Sequence, residues 1–158
     1  VARAREVPGF DCEEPFAAAA ARVVEVRAVE VFAHSQDVLD VDEVEHLHDM
    51  RVATRRLRAA LEVFAPCFPR KRHRKALKRV KELADALGER RDRDVAIESL
   101  QALLTETPKS DQGGVEALLG CLREEQGEAN EALRPHVSTK RLRKLRRRLG
   151  RLVTVAKT

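Results

Sequence analysis

The stretch "HLHDMRVATRRLRAALEVF", residues 46–64, decides the fold of this chain. Met50, Ala53, Leu57, Ala60, Leu61 and Phe64 recur at the three- and four-residue steps of a helix. At about 100° per residue they gather on one side, while His48, Arg51, Arg55 and Arg58 share an arc of about 80° on roughly the other. The stretch is therefore an amphipathic helix carrying a basic stripe about 15 Å long, at about 1.5 Å per residue. Glu62 closes the stripe. Asp42 is placed to cap the helix, and Pro66 and Pro69 stop it after Phe64.

The stripe is costly by itself. Like charges three and four residues apart repel by a few tenths of a kcal/mol each, at roughly 0.2–0.5 per pair. The neighbours of Arg55 four residues away are Arg51 and Ala59, so nothing acidic in the stripe relieves it. An anionic partner would. Guanidinium forks grip phosphate oxygens in pairs, so arginines along a line suit a chain of phosphates. His48 would add a donor whose positive charge grows as pH falls.

Outward from this helix the pattern stays helical. Residues 1–14 read as an irregular arm with a turn at Pro8-Gly9. A first helix is expected from Glu14 to about Val38, with Pro15 in its first turn. After Pro69 a third helix runs from about Arg70 to Leu87 and is expected to break at Gly88. A fourth covers about Asp92 to Glu106, with Asp92 and Asp94 near its N-terminus, where acids are favoured. "TPKSDQGG", 107–114, reads as a loop. A fifth helix spans about Val115 to Leu133, and Ser138 or Thr139 caps a sixth through about Val155. No period-two stretch competes. The expected fold is all-α: an antiparallel bundle of five to six helices with short loops, forming one domain over residues 15–158.

Composition fits this reading. Hydrophobic residues make up 43% and charged residues 36%, too apolar for a disordered chain. The net charge of +5 hides a segregation. Residues 51–93 hold fifteen Lys/Arg against five acids, and residues 138–158 hold nine Lys/Arg and no acid. Such blocks draw polyanions to one region. The third helix contributes Arg72, Lys75, Lys78, Arg79 and Lys81, and packed on the second it would supply the other wall of a basic groove. No apolar run approaches a membrane span, and Cys12, Cys67 and Cys121 form no metal or disulfide pattern. Cys67, Cys121, Phe64 and Phe68 read as core. The default setting is the cytoplasm. The first residue is Val rather than Met, as in a piece of a longer protein.

"HDMRVATRRLRAALEVF" followed by "LADALGERRDRDV" resembles the CHAD family, the conserved histidine α-helical domain. The resemblance rests on His48, Arg51, Arg55-Arg56-Leu57-Arg58, Leu87-Gly88, Arg91-Asp92 and Asp94-Val95. It implies binding of inorganic polyphosphate in a basic cavity, without known catalysis and without a cofactor. Carried over by position, it implies His48, Arg51, Arg55 and Arg58 as the main phosphate contacts. Arg56, Arg91, Lys75 and Arg79 are implied as further contacts. A full domain of this family resembles two helical halves facing each other, whereas this chain reads as the first half. No second histidine–arginine block follows residue 100, and His136 is followed by Val, Ser and Thr. A two-fold homodimer would place two basic stripes face to face and rebuild the cavity. The resemblance also admits association with polyphosphate granules.

Three other readings compete. His46, His48 and Asp49 suggest metal-ligand chemistry, but residues 46 and 48 stand about 200° apart on a helix and cannot chelate one ion together. "HDMRVA" is similar to the phospho-accepting box of histidine-kinase dimerisation helices, but its proline position is Ala53 and no ATP-binding Gly-rich segment follows. Nonspecific nucleic-acid binding would follow from charge at low salt. With no Trp or Tyr, most stacking platforms for single strands are missing. No nucleophile–base pair, catalytic carboxylate pair or phosphate-cradling Gly loop is visible. The chain reads as a binder, not an enzyme.

Overall fold

The computed structural model describes residues 3–156. Pro15, with φ near −57°, sets the backbone at the head of α1 (Phe16–Ala33). Ala20, Ala21, Val24, Ala28 and Val31 form its buried face. The irregular arm before it is tied down by two arginines of α1. Arg22 pairs with Glu14 at 2.6 Å and donates to the carbonyl of Gly9, and Arg27 pairs with the buried Glu30 at 2.7 Å. Glu30 also accepts from the backbone N–H of Arg5.

The expected extension of α1 to Val38 is not formed. The Ser35 hydroxyl donates to the Phe32 carbonyl at 2.8 Å, and Asp37 takes a left-handed φ of 55°, a conformation short polar residues tolerate. The chain turns there, and Val38 folds back into the core. Next comes α2 (Val44–Val63). Its preceding residue is Glu43 and no side chain caps it, so Asp42 does not play the expected part. Leu47, Met50, Ala53, Leu57 and Leu61 are fully buried, each leucine worth about 1.5–3 kcal/mol of burial. Thr54 is buried among them, its hydroxyl satisfied by the Met50 carbonyl at 2.8 Å. A single 3-10 turn, Ala65–Cys67, carries Pro66 and ends the run.

The largest departure from expectation follows. Arg70–Glu106 is one continuous helix, α3, of 37 residues, so the third and fourth expected helices are one. At about 1.5 Å per residue it is about 55 Å long. Gly88 does not break it. Among buried residues, Val80, Leu83, Leu87, Arg90, Asp94 and Ile97 step by three and four straight through the glycine. A mid-helix glycine costs only about 1 kcal/mol, less than that burial returns. Asp92 and Asp94 consequently sit in mid-helix, not at an N-terminus.

After a short turn α4 (Gln112–Leu133) begins within the stretch expected as loop, and α5 (Thr139–Ala156) is the last element of the described residues. Ser138 caps α5, its hydroxyl accepting from the Arg141 N–H at 3.4 Å. The described residues thus form five α-helices and no strand, an all-α bundle. Here α1 packs on α2 and α5, and α3 packs on α2 and α5 in turn, so α2 and α5 stand diagonally opposite. Leu57, Leu61, Val80, Leu83, Leu149 and Leu152 meet in the middle. Phe68 is buried; Phe64 and Cys67 are half-buried against the core, but Cys121 is exposed, contrary to expectation.

The distal half of α3 packs on α4, and a buried polar network joins them. Arg90, fully buried, donates to Asp94 at 3.0 Å and to Asn130 at 2.8 Å. Gln126 donates to Asp94 at 2.6 Å, and Asn130 donates onward to the Leu39 carbonyl at 2.9 Å. The network therefore ties α3, α4 and the α1–α2 connection together.

Candidate functional site

Because α3 is a single rod between α2 and α5, it has two flanks, and each lines a groove. On the α2 flank, Arg51, Arg55 and Arg58 face Ala84, Asp85, Gly88, Glu89 and Asp92 across an open cavity of about 360 Å³. The helical spacing that put these arginines on one arc is realised here. Among the described residues neither Arg51 nor Arg55 is in an ion pair. Arg58 donates to Glu62 at 3.1 Å, and Lys81 of α3 reaches the same carboxylate at 3.1 Å. Lys81, then Arg58, holds the Glu62 carboxyl below the usual carboxylate range.

The other expected contacts are distributed differently. His48 is half-buried and does not line this cavity; its Nδ1 is enclosed without a hydrogen-bond partner. Arg56 is half-buried on a neighbouring flank of α2 and is engaged elsewhere. Arg91 turns along its own helix to Glu98 at 3.4 Å. Lys75 and Arg79 do not wall the α2 groove: they lie on the opposite flank of α3, beside α5. The α3 wall facing the arginines is instead acidic, through Asp85, Glu89 and Asp92.

The α5 flank is more basic. One cavity of about 390 Å³ is lined by Arg72, Lys75, Lys144, Arg147, Arg148 and Arg151, with no carboxylate. It adjoins a second, of about 370 Å³, that shares Lys144 and Arg148 and extends to Arg79, Lys140 and Arg141. The Arg148 guanidinium bridges the helices by donating to the Lys75 carbonyl at 3.5 Å. Glu82, the carboxylate of this second cavity, is occupied by Arg79 at 2.6 Å, which holds its carboxyl below the usual range. His136 lines the same cavity. Burial first, and then the charge of Arg141, push its imidazole below the ordinary histidine value, against the opposing pull of Glu82. Sequence reasoning identified the basic block of α5 but left it without a partner. The signal was present in the steps Lys140, Lys144, Arg147 and Arg151, one face of a helix.

Among the described residues no three His, Cys, Asp or Glu side chains come together as a metal cluster, so His46, His48 and Asp49 make no such group. No helix among them is long and apolar enough to cross a membrane. Comparison with curated proteins and with solved structures gave no match. The model of one family, described as the CHAD domain, matches residues 22–158, nearly the whole chain, and the protein belongs to that family.

Proposed function

We propose that this chain binds inorganic polyphosphate and does no chemistry on it. The observation that carries the reading is the α2 groove: three arginines of the family's first signature block open onto one cavity, and two of them have no ion-pair partner among the described residues. A guanidinium in no ion pair keeps its forked donors for phosphate oxygens, with Asp85, Glu89 and Asp92 across the groove opposing part of that attraction. The family's association with polyphosphate gives the ligand class. The direct contacts in this reading are Arg51, Arg55 and Arg58; His48, Arg56 and Arg91 do not line the groove. Pairing of two copies about a two-fold axis would set two such surfaces face to face. The working setting is cytoplasmic, beside polyphosphate granules.

Nonspecific nucleic-acid binding is the second reading, and the net charge of +5 favours it. The Phe side chains that would stack bases do not line the basic cavities. A competition titration of long-chain polyphosphate against duplex DNA, at about 0.15 M salt where exposed charges are largely screened, separates the two. Polyphosphate should win by more than tenfold, and Arg51→Ala/Arg55→Ala should reduce that lead. Equal affinity for both polyanions, untouched by the double substitution, would replace this reading with a generic basic surface.

A further inference from the structure

We infer that the α3–α5 cleft is a second seat for the same linear phosphoanion, separate from the α2 groove; the inference rests on the polyphosphate reading above. The cations form two rails. On α3, Arg72, Lys75 and Arg79 step by three and four; on α5, Lys140, Lys144, Arg147 and Arg151 step by four, three and four. Low numbers on α3 meet high numbers on α5, so the helices run antiparallel and the rails lie side by side. From Lys140 to Arg151 the α5 rail is about 16 Å long at about 1.5 Å per residue.

Among the described residues, one carboxylate meets these rails. Glu82 is already committed to Arg79, and the inner cavity has no acid at all. Lys75, Lys144, Arg147 and Arg151 have no ion-pair partner among the described residues. Like-charge neighbours along α5 repel, and the fold then places Arg72 and Lys75 against them. This standing repulsion is relieved when an anion enters. A groove with cations on both sides suits a flexible chain of phosphates that can touch both rails. No Phe lines the cleft, and its one ring for a base to stack on is the half-buried imidazole of His136 at the Arg79 end.

The test replaces Lys75→Gln/Lys144→Gln/Arg147→Gln in the full chain. The charge-matched control, Lys71→Gln/Arg74→Gln/Lys78→Gln, removes three exposed cations of α3 that line none of these cavities. Long-chain polyphosphate is titrated over a range of salt. The cleft variant should bind at least tenfold more weakly than the control. Its slope of log affinity against log salt should flatten by about 2, at roughly 0.7 per lost contact on a single strand. Its melting temperature at low salt should match or exceed wild type, because self-repulsion is removed. In wild type, polyphosphate should shield Lys75 and Lys144 from acylation while Lys71 and Lys78 stay reactive. Affinity within threefold of the control, a lowered melting temperature, or unshielded Lys75 and Lys144 would overturn the second seat, while wild-type preference for polyphosphate over duplex DNA would leave the underlying reading standing. Loss of that preference in wild type would sink both.

Discussion

The two flanks of α3 both carry arginines, but one is balanced by acids and the other is not. On the α2 flank three arginines look across at Asp85, Glu89 and Asp92. On the α5 flank six cations line a cavity without a carboxylate. Two unit charges 4 Å apart interact by about 1 kcal/mol in bulk water and about 4 near a protein surface, so facing carboxylates offset much of what an arginine gains from an anion. The lesson is that a basic stripe on one helix is half of a site. The helix opposite decides whether the groove attracts, and a wheel drawn for one helix does not contain it.

The comparison holds while α3 stays one rigid rod, and the largest expected effect comes from breaking that. Arg90→Ala would strand the Asp94 carboxylate in the interior with Gln126 as its remaining donor. Removing one partner of a buried ion pair costs about 3–5 kcal/mol, so the urea midpoint should fall sharply. A loss under about 1 kcal/mol, the scale of an ordinary hydrogen bond, would mean that the network contributes little to holding α4 on α3.

A sharper comparison comes from neutralising the acidic wall. Asp85→Asn/Asp92→Asn should strengthen polyphosphate binding by about threefold to tenfold, the scale of roughly 1 kcal/mol per charge pair. Combined with the Arg51→Ala/Arg55→Ala change the gain should vanish, since no arginine pair remains to use it. A gain that persists in that background would place the anion somewhere other than the α2 groove.

The smallest effect tests the rod itself. A Cβ at Gly88 meets nothing within 4 Å, and the residue is in mid-helix without a positive φ. Gly88→Ala should therefore stabilise the chain by about 0.5–1 kcal/mol. Were Gly88 a left-handed helix end, the same change would destabilise it. Thermal melts give the sign directly.

Much of this molecule is written in single-helix periodicity. The α2 helix and its arginine arc, the two prolines that end it, the Ser138 cap and the all-α class all follow from spacing, because backbone hydrogen bonds and amphipathic faces are local matters. The family was legible too, since its signature blocks are local strings. Gly88 was misread because a glycine marks a weak point, and its cost of about 1 kcal/mol is smaller than the burial on either side of it. Asp94 has a different reason: read alone it suits a helix start, whereas its partners Arg90 and Gln126 lie on α3 and α4. The assignment of Lys75 and Arg79 to a flank is likewise a tertiary decision. Their side chains point where α3 is turned, and α3 is turned by burying Val80, Leu83 and Leu87 between α2 and α5. The sequence by itself determined which faces carry charge; only packing determined which charges meet, because Coulomb energy depends on distances between helices that no single helix encodes.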